Sequence, residues 1–475
     1  MAPKIKFADG NLIDVEPSPL APNSNLTPRL PRRGFFMTQP TANTSEAATP
    51  VESFRAERKA TATSVVGISP VDGNVATVFA RIAWESVVPT PLLDAAVAVL
   101  SGAPAWTNLA SLWWAESAQG KPKRDAIARQ LRWAALAMIP AAFVPYTGWG
   151  LLLFVLGCAG ARLSWGGMIT IRSTLWRCMY PAKERGRYAG WMSIITALTL
   201  AMAGATSGML LERDHQTFRI ILLVGAVALW LGSILYRRIP APAEPKLIEQ
   251  ERAEHRPKPR PWRDAIAILQ KDPGFSRYMA AMFVFGSGNL MAMPIIIQVI
   301  RERFDQGYFG GILLGSTLPM LVLPFAVPRW AKFFDRVHIL RYRLVHGWFF
   351  VSANVFLLTA SLTGTLWLLF LAISIRALAM AGGSIGWTLG HLDYAPPGQA
   401  GRYMGVHVTL TGLRGLVAPG IGALAYRTVE VAQPGQGGMA FILCVVLSFA
   451  GMLMFRRSVQ LDAGTATGRR SEGES

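Results

Sequence analysis

Apolar residues fall along this chain in blocks long enough to cross a bilayer, separated by short polar turns. Leu131–Leu156, Ile220–Leu235, Tyr278–Ile300, Gly310–Val327, Phe349–Leu371 and Met439–Phe455 are the clearest blocks. Several approach the ~20 residues that a helix needs to cross a hydrocarbon core. Backbone polar groups in lipid must be satisfied within the segment, so helices are the expected spans. The period-two alternation of a membrane barrel is absent. The pattern predicts twelve spans: 73–90, 92–115, 131–147, 149–176, 187–211, 218–236, 277–300, 308–328, 344–362, 364–390, 401–426 and 437–456. The first is the weakest, because Asn74–Val88 carries Arg81 and Glu85 and stops at Pro89-Thr90-Pro91. An eleven-span reading, with that segment lying at the interface, stays open beside it.

A repeat divides the chain. Pro181, Gly186, Arg187, Tyr188, Gly190, Thr196 and Leu198 return as Pro396, Gly401, Arg402, Tyr403, Gly405, Thr411 and Leu413, all at one constant offset of 215 in the numbering. Average usage would give about one identity over such a stretch. Each copy precedes a long apolar segment, which points to a two-half membrane transporter. The expected organisation is a disordered tail over 1–72, rich in Pro, Ser, Thr and Ala, then a six-helix half over 73–236. A linker follows over 237–276, then a second six-helix half over 277–457 and a disordered tail over 458–475. The linker begins proline-rich and polar, as a solvated segment does. Further on, Trp262, Ile266 and Leu269 recur at helical spacing up to Asp272-Pro273. That short amphipathic helix either lies on the membrane surface or packs on the ends of the bundle.

Composition agrees with the spans: 475 residues, 52% hydrophobic and 16% charged. The formal net charge of +19 raises the question of nucleic acid, but its distribution answers otherwise. Lys and Arg cluster in alternate loops, at 121–132, 177–187, 237–277 and 329–343, whereas Pro145–Gly150 and Ser361–Gly364 carry none. This positive-inside pattern puts both termini in the cytoplasm and requires an even number of spans. No nucleic-acid partner is expected; the partners are a small solute and the lipid bilayer, the location is the cell membrane, and the expected state is a monomer. Residues 1–30 lack the apolar core of a secretory signal. Cys158, Cys178 and Cys444 lie in or beside apolar segments without metal-ligand spacing, so buried thiols are expected rather than a metal site. No Gly-rich phosphate loop with its Lys, no His-Glu-x-x-His and no Ser/His/Asp set is present, so neither an enzyme nor an ATP-driven pump is expected and no cofactor is called for.

Between spans 8 and 9 the chain reads Trp330-Ala-Lys-Phe-Phe-Asp335-Arg336-Val-His-Ile-Leu-Arg341; the turn between spans 2 and 3 reads Trp114-Ala115-Glu116-Ser-Ala-Gln-Gly120-Lys121-Pro-Lys123-Arg124. An acid closing a helix before a basic turn resembles the Asp-Arg-x-Gly-Arg-Arg signature of the major facilitator superfamily. The two Gly-Arg-Tyr-x-Gly copies sit where that superfamily has a short basic loop before spans 5 and 11. The resemblance extends over about 73–457. It departs at Glu116 in place of Asp, at Ser117 in place of Arg, with one extra residue before Gly120, and at Asp335-Arg336, which no glycine follows. It implies an all-α membrane protein of twelve helices in two pseudo-symmetric halves, related by an axis along the membrane normal, with secondary transport by alternating access. It also implies that Glu116 approaches Gly401-Arg402 and that Asp335, with Arg336, approaches Gly186-Arg187, as latches on the cytoplasmic side.

Ionisable groups at bilayer depth are costly unless they face a partner or a wet cavity. The candidates are Arg81, Glu85, Asp94, Arg162, Arg376 and Arg414. Arg81 and Glu85 lie four apart and can pair on one helix face; the pair is either structural or functional. Asp94 either serves the site or reaches interfacial water. Arg162 precedes Gly166 by four residues, which partly resembles the superfamily's Arg-x-x-x-Gly element in span 4, where the Arg is linked to proton movement. Arg414, among Gly412, Gly415 and Pro419, and Arg376 are read as facing the central cavity, with structural ion pairing as the alternative. Asn289 and Gln298 offer amide contacts, to substrate or between helices. Trp84, Trp165 and Trp387 stack on substrate or simply pack, and His407 titrates or is hydrogen-bonded in place. With three arginines against one acid, the expected substrate is a small anion or zwitterion, and Glu85 is the expected proton-coupling group. Two other classes stay open: a transporter-like sensor or scaffold that moves nothing, and a lipid translocase.

Overall fold

The computed structural model describes residues 5–6, 12–13, 49–72, 74–181, 184–253, 261–396 and 399–472, with side chains to Leu461 apart from those of 5–6, 12–13, 261–262 and 400. Most of the expected tail before residue 49 lies outside the described residues. Within 1–47 the described part is one antiparallel pairing, β1 (Ile5–Lys6) with β2 (Leu12–Ile13), which joins Ile5 to Ile13 and Lys6 to Leu12. Everything else described belongs to a second unit, a bundle of helices.

The first helix, α1 (Pro50–Ile68), falls in the stretch expected to be an unstructured tail. Its start is built in full: the Thr49 hydroxyl accepts from the Glu52 amide, the Glu52 carboxylate accepts from the Thr49 amide, and Pro50 takes the first turn. The helix escapes a hydropathy reading because it faces inward with its polar side. Ser53, Glu57, Thr61 and Ser64, at spacings of four, four and three, are all wholly buried. Ser53 donates to the Pro240 carbonyl at 2.8 Å, and Thr61 bonds the Tyr236 hydroxyl at 3.0 Å. The Glu57 carboxylate accepts from Trp176 Nε1 and the Tyr180 hydroxyl. α1 lies along α8 (Thr217–Arg237) so closely that a Cβ on Gly67 would stand 2.7 Å from the Leu229 backbone nitrogen.

The chain then breaks at Ser69–Asn74, around Pro70 and a left-handed Asn74 (φ 68°), and resumes as α2 (Val75–Ala83). Nine residues reach only about 13 Å, so α2 cannot cross alone. The first span is therefore α1 plus α2 with an interruption, rather than 73–90. Among the described residues, ten other helical runs are long and apolar enough to cross a membrane. α5 (Lys123–Ala142) is the twelfth crossing, kept below that threshold by its basic start.

The remaining N-terminal spans are α3 (Thr90–Trp106), continued by a 3-10 turn (Thr107–Ala110) and α4 (Ser111–Ser117), then α5, α6 (Gly148–Met179), α7 (Arg185–Arg213) and α8. The linker, expected to begin as a solvated segment, holds α9 (Glu244–Ala253), whose Glu244 is buried. α10 (Pro261–Lys271) buries Ala265 and Ile268 against the second half. That half comprises α11 (Pro273–Gln298) with a π turn (Val299–Arg303), α12 (Tyr308–Ile312) with a second π turn (Leu313–Thr317), and α13 (Leu318–Phe334). It continues as α14 (Ile339–Thr363), α15 (Leu366–Leu389), α16 (Ala400–Ala432) and α17 (Phe441–Glu472). α17 runs on through residues expected to be a tail, a stretch with no proline to stop it.

The duplication is visible in packing. Trp114 lies against Gly167 and Trp330 against Gly382, and 382−167 is the same 215 as in the sequence repeat. The halves meet where α3 runs along α16 and where α7 runs along α12 and α13. Small residues permit the first contact: a Cβ on Gly412 would stand 2.9 Å from the Leu109 backbone nitrogen.

Candidate functional site

Helix termini define two ends of the bundle. One carries the basic turns at 118–124, 184–187, 237–238, 329–341 and 399–402 and is called the basic end. The other carries the turns at 84–89, 143–147, 213–217, 304–307 and 363–365.

Midway between them lies the break in the first span. There Asp72 is ion-paired with Arg162 of α6 at 2.8 Å, and Asn74 Nδ2 donates to the Gly315 carbonyl of the opposite half at 3.0 Å. Arg162 is fourteen residues from one end of α6 and seventeen from the other, about 21 and 25 Å at the helical rise. The turns that interrupt the span keep the amides of Val71, Asp72 and Val75 hydrogen-bonded and free the Asp72 and Asn74 side chains to reach Arg162 and Gly315, and discontinuous membrane helices build binding sites at such interruptions. The second half has a counterpart. Gly73-Asn74 returns as Gly288-Asn289, again at the offset of 215, in the uninterrupted α11. Arg376 of α15 stands one position short of that same offset from Arg162 and donates to the Asn289 carbonyl at 2.7 Å. Both arginines are buried, and Arg162 Nε and Arg376 Nη1 have no acceptor among the described residues. Each half thus carries one buried arginine about midway along a span, Arg162 on the Asp72 carboxylate and Arg376 on the Asn289 carbonyl.

At the end away from the basic turns the halves are tied by ions. Glu302, in the π turn after α11, accepts from Arg81 Nη2 and from Arg427 Nη2, each at 2.7 Å, and from the Tyr426 hydroxyl at 3.2 Å. Arg427 also holds Asp94 (2.6 Å), which in turn accepts from Gln298 at 2.8 Å. Arg301 pairs with Glu85 at 2.7 Å, and Arg81 with Glu85 at 3.2 Å. Four of these contacts cross between the halves: Arg81–Glu302, Glu85–Arg301, Asp94–Arg427 and Asp94–Gln298. Glu85 therefore is not a mid-membrane acid. It lies in the turn after α2, 36% exposed and doubly paired. Asp72 holds the mid-membrane position instead.

At the basic end no comparable tie exists among the described residues. Glu116, Asp335, Arg336, Arg187 and Arg402 are exposed, and none makes an ion pair across the halves. Arg187 pairs within its own turn, with Glu184 at 3.1 Å. The expected pairings of Glu116 with Arg402 and of Asp335 with Arg187 are not among the ion pairs of the described residues. The turn after α4 is held by the linker instead. Glu251 accepts from the Gly120 amide at 2.8 Å and from Lys123, while Glu244 accepts from the Lys123 amide (2.6 Å) and Arg124 Nε (2.7 Å). The repeat tyrosines act within their own halves: Tyr188 stacks on Tyr180 at 4.4 Å, and Tyr403 donates to Asp272, the cap of α11, at 2.9 Å.

The remaining candidates are mostly structural. Trp84 is wholly buried and donates to the Thr147 carbonyl at 3.0 Å; Trp387 donates to Thr411 at 3.3 Å. Trp165 is buried in the first-half core. His407 is buried with neither ring nitrogen hydrogen-bonded among the described residues. Arg414 does not face the centre. Its guanidinium donates to the Met282 carbonyl, at the floor of a groove between α11, α16 and α17 on the outside of the second half. Asp72, Asn74, Glu302, Arg301 and Arg427 are not among the residues that the sequence singles out. The Gly-Asn dipeptide, repeated at the same offset as the Gly-Arg-Tyr-x-Gly motif, is the signal that points to the first two.

The Major Facilitator Superfamily profile matches residues 82–419. No match is found among curated proteins. Among solved structures, a mutant form of the nucleoside transporter NupG superposes with a TM-score of 0.64 at 16% identity, covering 85% of this chain and 100% of that one. A D-xylose-proton symporter gives 0.64 at 12% identity, covering 86% and 97%. A POT family transporter in complex with 5-aminolevulinic acid gives 0.64 at 12% identity, covering 86% and 95%. At such identities these likenesses concern the fold alone, whereas the profile spans well over half of the sequence. The chain belongs to the Major Facilitator Superfamily and is a multi-pass membrane protein of the transporter class, not an enzyme.

Proposed function

We propose that this protein is a secondary transporter that works by alternating access and carries a small anionic or zwitterionic solute, with protons as the coupling ion. The basic end is assigned to the cytoplasm of a cell by the positive-inside rule. The observation that carries the reading is the Asp72–Arg162 ion pair at the mid-membrane break of the first span, beside Asn74. Arg376 and Asn289 give the second half matching chemistry.

The arrangement suggests how an anion and a proton would move together. A solute carboxylate that binds Arg162 takes the place of Asp72. Asp72, once it has yielded Arg162 to the solute, is the group that carries the coupled proton in this reading. Solute release returns Arg162 to Asp72 and expels the proton. The ion ties opposite the basic end, with no comparable tie among the described residues at it, support an inward-facing resting state. Purified protein in liposomes tests the reading. Wild type should accumulate a labelled small carboxylate or amino acid under an imposed pH gradient. Asp72→Asn should lose that acceleration while keeping solute exchange without a gradient. Gradient-driven uptake unchanged in Asp72→Asn would remove the coupling role, and preference for cationic solutes would remove the substrate class.

A further inference from the structure

Arg414 carries an observation that the central site does not use. It lies fourteen residues into α16, about 21 Å along the helix, hence at mid-bilayer depth. It is 8% exposed, makes no ion pair among the described residues, and leaves Nε without an acceptor. Gly286 makes room for the guanidinium, since any Cβ there would run into it. The groove above it encloses about 360 Å³, within the range of small-molecule sites. Apart from Ser287, whose hydroxyl donates to the Phe283 carbonyl, its walls are apolar, among them Met291, Val417, Ile421, Leu443 and Val446. Val417, Ile421 and Val446 are about half exposed on the bundle's outer surface, so the groove opens to the bilayer. It runs from Arg414 toward the start of α17, at the end away from the basic turns.

A cation at that depth with an unused donor calls for an anion. The surrounding walls call for an apolar body. We infer that this lateral groove binds an amphiphilic carboxylate, an unbranched acyl chain lying along Val417, Ile421 and Val446 with its carboxylate on Arg414. The occupant lies inverted with respect to an ordinary bilayer lipid, its charge at the midplane and its tail toward the surface. That geometry selects a single-chain carboxylate over a lipid whose headgroup must stay at the interface. This site is separate from the proposed central one and does not depend on it.

The test is binding of radiolabelled laurate to the full-length protein in nanodiscs of zwitterionic lipid. Saturable binding is expected, displaced by unlabelled laurate and not by methyl laurate, which lacks the charge. Arg414→Gln and Val446→Trp, the latter filling the groove from its lipid-facing edge, should each weaken binding at least about tenfold. Asp72→Asn should leave it unchanged, which separates failure here from failure of the central reading. Should Arg414→Gln not fold, Val446→Trp alone decides. Displacement by methyl laurate equal to that by laurate, or full binding in Val446→Trp, would overturn the assignment.

Discussion

Glu302→Gln should release the end of the bundle opposite the basic turns. The carboxylate bridges Arg81 of the first half and Arg427, which itself grips Asp94 across the interface. These groups are mostly shielded from water: Arg81 is 5% exposed, Glu302 17% and Arg427 18%. Hydrogen bonds to charged groups contribute about 1.5–3 kcal/mol each, against about 1 for neutral ones. Glutamine keeps the shape and loses the charge. Two arginine contacts, each at 2.7 Å, are weakened. The loss in the closed arrangement is therefore about 2 kcal/mol. In an open arrangement the same groups are hydrated and the change costs little. At about 1.4 kcal/mol per tenfold, the closed-to-open ratio falls about 30-fold. Spin labels at Val87→Cys and Val431→Cys, both exposed at this end and on opposite halves, read that ratio directly. The three native cysteines are buried and should not compete for label. Double electron–electron resonance should show one short distance in the parent and an added longer population in Glu302→Gln. An unchanged distribution in both Glu302→Gln and Asp94→Asn would refute the claim that these ions hold the end shut.

The α1–α8 contact predicts that Gly67→Ala lowers stability by about 1–3 kcal/mol through overpacking, because its Cβ meets Leu229 and the Gly225 carbonyl. Gly186→Ala, whose Cβ meets nothing within 4 Å, should change the midpoint of thermal unfolding far less. Glu57→Gln should also lower that midpoint, since Tyr180 and Trp176 lose a charged acceptor inside the core; an unchanged midpoint would contradict the buried polar stripe. Glu244→Ala should free the linker, seen as faster hydrogen exchange at the Lys123 and Arg124 amides, which now donate to it at 2.6 and 3.2 Å. Exchange as slow as in the parent would show that α9 does not hold this turn.

The sequence makes the halves legible because lipid-facing helices must be apolar over their full length, and the constant offset of the repeat marks the duplication directly. α1 is hidden for the converse reason. Its polar stripe of Ser53, Glu57, Thr61 and Ser64 points inward, where Trp176 and Tyr180 meet Glu57, Tyr236 meets Thr61, and the Pro240 and Ala60 carbonyls accept from Ser53 and Ser64, so its composition resembles that of a tail. The break at Ser69–Asn74 then moves Asp72 from an expected tail position to the middle of the bundle. Charge type without depth misplaces Glu85: a carboxylate near an apolar run reads the same whether it lies mid-membrane or one turn beyond the helix. Arg414 shows the same limit, since helical periodicity does not say which neighbour a face will meet.

The most direct test of the account is flux through the Asp72–Arg162 centre. Full-length protein in liposomes, with labelled small carboxylates and amino acids offered under an inward proton gradient, should accumulate at least one solute. Wild type should do so faster with the gradient than without it, and Asp72→Asn equally slowly in both. No gradient-stimulated uptake of any such solute by wild type, or stimulation that survives in Asp72→Asn, would contradict the account.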